Sequence, residues 1–368
     1  MSFNQSKGHR IFYLDQLRAL AIAGIVLCHV ANLWIGSSHS NLNWIVHDFF
    51  NILGRFGVPV FLMLSGALLL NRNYAIYEFI KRRFPRILKP FIFWMSIALV
   101  FGIIAQDKFS IFSSMFIAIS YIVKTFLANR WYVWMIIGVY LVMPIINDFV
   151  KNRGLKGIEY FLSLLVITSI LYSLSLYFHY SLYYLDLGIF VGPLAYVFLG
   201  YYIHNKEFNL APVNLVILGL AMFVFAVLVK TILVYLGHFN LSMFFYYSYL
   251  SKSYIEIDIF AFIQASGIFL VFKYLNDVNV KGTTLKISSF LKDGIIGRLT
   301  TSLSRCSYGI YLNHYLLIAI ISLLSLNLLK HSALKWIPPI FISVLLVSWV
   351  LILVVDKIPY LNNLSGAH

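Results

Sequence analysis

The first long apolar segment of the chain carries three ionisable side chains, Asp15, Arg18 and His29, on nearly one stripe. Helical residues rotate by about 100° each, so Arg18 and His29 share a face about 16 Å apart along the axis, with Asp15 about 40° off that line. Such groups in a membrane helix usually face a protein interior or a wet cavity. An imidazole can exchange a proton near neutral pH, so His29 marks a candidate site of chemistry or transport. The alternative for Asp15 and Arg18 is a role as anchors at the membrane surface.

A second group of basic side chains precedes the third apolar segment, in the run Lys81-Arg82-Arg83-Phe84-Pro85-Arg86-Ile87-Leu88-Lys89-Pro90. Pro85 can occupy the first position of a helix, where its missing N–H costs nothing. Arginines three and four residues apart beside a helix start form a good site for phosphate groups. We therefore expect phosphate binding by Arg82, Arg83, Arg86 and Lys89. A basic loop that only sets the membrane topology is the alternative.

The composition is that of a polytopic membrane protein and not of a soluble domain. The chain has 368 residues, of which 61% are hydrophobic and 11% are charged, and its mean hydropathy is +0.86. The formal net charge of +15 is expected to lie in cytoplasmic loops beside anionic membrane lipid, so no nucleic-acid partner is predicted. The two cysteines, Cys28 and Cys306, have no metal-binding spacing, and no metal is expected.

We predict an all-α polytopic membrane protein with about ten transmembrane helices and both termini in the cytoplasm. The expected spans are 13–35, 49–70, 87–106, 131–147, 159–178, 187–203, 213–236, 255–275, 306–328 and 337–356. Lysine and arginine then concentrate in the inner loops, as the positive-inside rule requires. An eleventh apolar stretch, 109–127, would reverse this asymmetry if it crossed, so we interpret it as interfacial or re-entrant. The membrane domain is expected at 13–358, between cytoplasmic tails at 1–12 and 359–368.

Three further segments carry polar or aromatic side chains, and each has a structural interpretation: Arg55 to Gly66, Arg130 to Tyr132, and Ser304 to His314. Ser65 in the first segment permits a small polar contact or close helix packing. The aromatic side chains of the second are ordinary anchors at the edge of a span. The third places Tyr308, Tyr311 and His314 one helical turn apart, where they face a pocket or fill the core.

A different class of function, a transporter or flippase of a lipid-linked sugar, is favoured by the charges of Lys230, Glu256 and Asp258. Transporters of this kind are built from repeats, with charges near the midplane in both halves. The chain has no clear internal repeat, and its deep ionisable residues concentrate in the N-terminal third. These features favour an enzyme over a transporter.

The segments occur in an order that resembles the acyltransferase 3 family of ten-span membrane acyltransferases. The resemblance runs from about Tyr13 to Tyr360 and rests on these motifs: Leu14-Asp15-x-x-Arg18 with His29, Arg55-x-x-Val58-Pro59-x-Phe61-x-x-Ser65-Gly66, Arg82-Arg83-x-x-Arg86, Trp131-Tyr132, and Ser307-Tyr308-Gly309-Ile310-Tyr311-Leu312-x-His314. The pattern Ile136-Ile137-Gly138-x-Tyr140-Leu141-x-x-Pro144 is most similar to the surface-polysaccharide O-acyltransferase branch.

The resemblance implies transfer of an acetyl group from cytoplasmic acetyl-CoA to a hydroxyl of a surface or envelope glycan, or of its lipid-linked precursor, at the cell membrane. It implies that His29 is the general base, that Arg18 and Asp15 orient the site, and that Ser65 carries a transient acyl group or contacts the oxyanion. The implied donor-binding residues are Arg82, Arg83, Arg86, Lys89, Tyr308 and His314. The implied acceptor-binding residues are Arg55, Arg130, Trp131 and Tyr132. A succinyl group in place of acetyl, and a homo-oligomer, are both compatible with the sequence.

Overall fold

The computed structural model describes residues 10–36, 42–105, 131–177, 192–239, 259–275, 277–278, 294–324 and 331–367, with isolated positions between 119 and 126. Over these residues the regular structure is helical, which confirms the all-α prediction. Seven of the described helical segments are long and apolar enough to cross a membrane. The chain is therefore a polytopic membrane protein. The stretch 109–127 lies almost wholly outside the described residues.

Ten helices form the bundle over the described ranges, and we number them in chain order. They are α1 Phe12–Ala31, α2 Asn43–Gly54, α3 Gly57–Leu69, α4 Ile76–Ala105, α5 Trp131–Tyr177, α6 Pro193–Asn205, α7 Pro212–Phe239, α8 Ile259–Leu275, α9 Ile295–Leu324 and α10 Ala333–Lys357. Helix α1 packs against α2, α3, α9 and α10, so the stripe with Arg18 and His29 lies inside the bundle.

The second predicted span is broken into α2 and α3 where it crosses α1. Pro59 has no N–H to donate to the carbonyl of Arg55, so the helical ladder is interrupted there. Glycines line the contact: a Cβ on Gly54 would collide with the backbone of Gly24, and a Cβ on Gly57 with that of Ala21. The break thus lets the backbone at the α2–α3 junction approach that of α1 closely, and it fixes the position of α1 along its axis.

Helix α5 is a hairpin of two helices that join at Gly154, where φ is +59°. The ring centroids of Phe149 and Phe161 lie 6.0 Å and 4.7 Å from that of Phe198. Those two rings are therefore at most about 11 Å apart, whereas 12 residues of straight helix span about 18 Å. The chain must turn back at Gly154, in agreement with two predicted spans over this region.

Two helices begin earlier than the sequence predicts. Pro85 and Pro90 lie inside α4, so the prediction that Pro85 opens this helix is wrong. The preceding turns are held by packing, because Phe79 is buried and stacks on Tyr74 at 4.7 Å. Helix α9 begins at Ile295, within a stretch that we expected to be a loop up to Ser304.

The two ends of the described chain meet at one end of the bundle. Near the start of α1, Asp15 accepts a hydrogen bond from the Ser304 hydroxyl of α9, at 2.8 Å. About one and a half turns further along α9, the Gly309 N–H donates to the carbonyl of Gly366 at 3.3 Å. This arrangement fits the expectation that both termini lie on one side of the membrane. Which side that is stays a prediction.

Candidate active site

A cavity of about 640 Å³ opens at the end of the bundle where the two termini meet. Among the described residues, five arginines from four parts of the chain line it: Arg18, Arg72, Arg83, Arg86 and Arg305. No carboxylate is among the described residues that line this cavity. Such a concentration of guanidinium groups attracts anions and suits bidentate binding of phosphate.

Aromatic side chains also line the cavity. Tyr132, Tyr308 and Tyr311 all line it, and the rings of Tyr132 and Tyr311 meet edge to face with centroids 5.0 Å apart. The Tyr308 hydroxyl donates to the carbonyl of Ile87 at 2.9 Å and so ties α9 to α4. The cavity therefore combines cationic and aromatic side chains, which suits a molecule with phosphates and a flat or apolar body.

The structure separates the four basic residues that the sequence groups together in α4. Arg83 and Arg86 line the cavity, whereas Arg82 and Lys89 do not. The side chain of Arg82 is 67% exposed and pairs with Glu78 at 3.5 Å. One helical face thus carries the cavity arginines, and the other meets the surroundings.

Two cavity arginines were not predicted as individual site residues, although Arg305 lies in the Ser304-to-His314 segment that the sequence singles out. Arg72 follows the end of α3, and its backbone is held by Asn147, whose side chain accepts from its N–H at 3.1 Å and donates to its carbonyl at 2.9 Å. Arg305 lies in α9 beside the Ser307-to-His314 motif, and pairs with Asp356 at 2.6 Å. The only sequence signal for either residue is its position at the edge of a motif, since tertiary packing brings them to the cavity.

Asp15 lies behind the cavity wall, in a network that ties the start of α1 to α9. Its carboxylate accepts from Arg10 Nε at 2.5 Å and Nη2 at 3.0 Å. The Ser304 hydroxyl, which lines the cavity, donates to it as well. The hydrogen bond with Asp15 raises the pKa of Arg10 above its ordinary value. Asp15 therefore holds other groups in place and does not itself reach the cavity.

Ser65 lines the cavity from α3. Its hydroxyl donates to the carbonyl of Phe61, one turn earlier, at 3.1 Å. Because that bond uses the only hydroxyl proton, the oxygen in this rotamer can accept a hydrogen bond from a ligand but cannot donate one to an oxyanion.

His29 lies beyond the cavity, in a cluster with two residues of α9. The Tyr315 hydroxyl is 2.7 Å from Nδ1 and 3.1 Å from Nε2 of His29. The ring centroid of His314 is 5.3 Å from that of His29 and 5.8 Å from that of Tyr311, which does line the cavity. His29 is thus separated from the cavity wall by the Tyr311–His314 contact.

The neighbouring His314 is fully buried, and its Nδ1 lies 3.0 Å from the carbonyl of Ile310. A carbonyl only accepts, so Nδ1 carries a proton. His314 does not line the cavity, and any contact with a bound donor would run through Tyr311 or His29.

The predicted acceptor-binding residues are dispersed. Tyr132 turns into the cavity, whereas Trp131, one residue earlier, is 39% exposed. Arg55 lies away from the cavity, with its Nε donating to Asn51 at 3.1 Å. Arg130 lies outside the described residues. Among the described residues, no group of three or more His, Cys, Asp or Glu side chains has an arrangement that could hold a metal ion.

The fold and the cavity define an integral membrane protein with an open, arginine-lined cavity. A family model described as an acyltransferase domain matches residues 11–354, which is nearly the whole chain. The chain therefore belongs to this family, acyltransferase 3, and is a membrane acyltransferase. Comparisons with curated proteins and with solved structures give no match.

Proposed function

We propose that this protein is a membrane O-acetyltransferase that moves an acetyl group from cytoplasmic acetyl-CoA to a hydroxyl of a surface or envelope glycan, or of its lipid-linked precursor. The observation that carries the proposal is the convergence of five arginines on one cavity, with no carboxylate among the described residues that line it. Coenzyme A presents a diphosphate and a ribose phosphate, which need such a set of cations.

The donor fits the cavity in outline. Arg83 and Arg86, with Arg72 and Arg305, bind the phosphates near the mouth, and the tyrosines of the cavity accommodate the rest of the nucleotide. Arg18 lies at the same cavity and is about 16 Å from His29 along α1. The pantetheine arm is about that long, so a thioester bound through its phosphates extends past Arg18 toward His29, and it reaches the imidazole once the Tyr311–His314 contact that separates His29 from the cavity opens.

His29 supplies the proton chemistry in this proposal. As the acceptor hydroxyl attacks the thioester carbonyl carbon, the imidazole takes the hydroxyl proton. When the carbon–sulfur bond breaks, the imidazolium returns that proton to the departing thiolate of coenzyme A. Tyr315, at hydrogen-bonding distance from the ring, orients the imidazole. Acceptor binding by Arg55, Arg130, Trp131 and Tyr132 stays a prediction from the sequence. Of these residues, Tyr132 lines the cavity, whereas Trp131 and Arg55 do not.

The experiment that tests this proposal follows radiolabelled acetyl groups in inverted membrane vesicles that contain the protein. Matched vesicles without the protein are the control. We expect label in a glycan or glycolipid fraction from acetyl-CoA, and at least about 100-fold slower transfer from S-acetylpantetheine, which lacks the phosphates that the arginines would bind. Equal use of the two donors would contradict phosphate recognition. Absence of transfer from acetyl-CoA would contradict the acetyl donor itself.

A further inference from the structure

The last residues of the described chain form a part of the cavity that the sequence analysis did not anticipate. After α10 ends at Lys357, the chain reverses at Tyr360, where φ is +71°. It returns through a short 3₁₀ helix, Asn362–Leu364, and packs between α4, α9 and α10. We call residues 361–367 the C-terminal strap. Its residue Gly366 lines the arginine cavity.

The C-terminal strap is held by specific contacts and not by surface adhesion. The indole N–H of Trp94, a buried residue of α4, donates to the carbonyl of Ser365 at 3.2 Å. On the other side, Gly366 approaches Gly309 so closely that a Cβ on either glycine would collide with the strap or with α9. Gly366 has φ of +83°, a conformation that favours glycine.

Asp356 links the C-terminal strap to a cavity arginine. Its Oδ2 lies 2.6 Å from Nη2 of Arg305, and its Oδ1 lies 3.2 Å from the hydroxyl of Ser365. Ser365 is fully buried. The Ser365 hydroxyl has one proton, which it shares between Asp356 and the nearer carbonyl of Asn362 at 2.8 Å. The same carboxylate that contacts the strap therefore pairs with Arg305, a residue that lines the cavity.

We infer that the C-terminal strap is a wall of the donor site and that Asp356 is a positioning residue, which sets Arg305 to bind a phosphate of the acyl-CoA. This inference rests on the proposed function, because it takes acyl-CoA as the ligand of the cavity. If the strap only completes the packing of α4 against α9, its removal lowers the stability of the protein and nothing else. If the strap is also a wall of the site, its removal lowers the affinity for the donor in a protein that remains folded.

The test uses purified protein in lipid nanodiscs and compares the wild type with a chain that stops before Leu361. Acetyl-CoA binding is measured by calorimetry, and KM and kcat are measured by label transfer. We expect the shortened chain to raise Kd and KM for acetyl-CoA at least tenfold, with kcat changed less than threefold. Asp356→Asn and Arg305→Gln should each raise both constants at least fivefold, and Asp356→Glu should restore most of the affinity.

Matched controls lie on the same two elements. Asn363→Ala changes an exposed side chain of the C-terminal strap, and Arg298→Gln removes an exposed arginine two turns before Arg305. Both should bind acetyl-CoA as the wild type does. If the shortened chain does not fold, Asp356→Asn and Arg305→Gln decide the question, since they remove no chain.

The possible results distinguish a failure of this inference from a failure of the proposed function. Suppose that the wild type binds acetyl-CoA and that Asp356→Asn and the folded shortened chain bind it within twofold of the wild type. This result would overturn the inference and leave the proposed function standing. A wild type that binds no acetyl-CoA would overturn both. A loss of affinity in Arg298→Gln equal to that in Arg305→Gln would reduce the effect to general charge and also overturn the role of Asp356.

Discussion

Arg18 reaches the arginine cavity, whereas His29, three turns further along the same face of α1, does not. The contact between Tyr311 and His314 lies between the cavity and the His29 ring. In the proposed function, donor binding and proton transfer therefore fall in two parts of the molecule, and substitutions should affect them separately.

His29→Ala is expected to lower kcat for acetyl transfer by at least about 100-fold, the usual contribution of a general base. The affinity for acetyl-CoA should change less than twofold, because His29 is outside the cavity wall. Label transfer in inverted vesicles gives the first quantity and calorimetry on the purified protein gives the second.

His204→Gln is the matched control, because its ring contacts Tyr13 near the other end of α1. It should retain transfer within threefold of the wild type. If His29→Ala transferred acetyl groups at the normal rate, the base would have to be another residue. A loss of acetyl-CoA binding in His29→Ala would instead place the imidazole in the donor site.

The double variant Arg83→Gln and Arg86→Gln should weaken acetyl-CoA binding at least about tenfold, because each guanidinium makes charge-assisted contacts with phosphate. The dependence of Kd on salt should also become shallower, since fewer charges take part. The same measurements on Arg82→Gln with Lys89→Gln are the control. These two residues lie in the same helix, carry the same total charge and do not line the cavity.

An equal loss of affinity in both double variants would show that the α4 cations act through the overall field and not by contact. Unchanged affinity in the Arg83 and Arg86 variant would remove the main support for phosphate binding in this cavity.

Helical periodicity predicted that Arg18 and His29 share one face of α1, but it could not sort the basic residues of α4. The stripe with Arg18 and His29 follows from the 100° rotation of a helix, and hydropathy indicated the helical class. Spacing could not show that Arg83 and Arg86 line the cavity while Arg82 and Lys89 do not. These four residues fall within about two turns, and only the neighbouring helices decide which face of α4 is covered. Pro85 misled the placement of the helix start, since the packing of Phe79 outweighs the lost hydrogen bond.

Long-range contacts supplied the rest of the site. Arg72 is held by Asn147, which is 75 residues away in sequence, and Arg305 is held by Asp356. No local pattern reports such pairs. The same holds for the C-terminal strap, whose sequence Leu361 to Ala367 has no hydrophobic periodicity and packs through backbone hydrogen bonds and glycine contacts.

Asp15→Asn should lower the thermal stability of the protein more than it lowers the rate of acetyl transfer. The amide keeps an acceptor for Ser304 but loses the charge that pairs with Arg10, and we expect a loss of about 1–2 kcal/mol in the free energy of unfolding. Thermal unfolding in detergent measures this effect, with Asp148→Asn, an exposed carboxylate of α5, as the control. Transfer slowed by about two orders of magnitude, the contribution typical of a proton-transferring group, without any loss of stability would assign Asp15 a direct catalytic role.

Gly66→Ala should separate α3 from α6, because an added Cβ at this position collides with the backbone of Val197, which cannot move aside as a side chain can. Overpacking of this kind costs about 1–3 kcal/mol. Since Ser65 lines the cavity next to Gly66, acetyl-CoA affinity should fall as well. Gly138→Ala is the matched control: apart from its chain neighbours and the adjacent backbone of its own helix, no described atom lies within 4 Å of the position that its Cβ would take. Alanine also favours a helix over glycine by about 0.5–1 kcal/mol. Thermal unfolding and acetyl-CoA binding of the two variants should therefore diverge, and equal stability of both would show that α3 and α6 are free to shift apart.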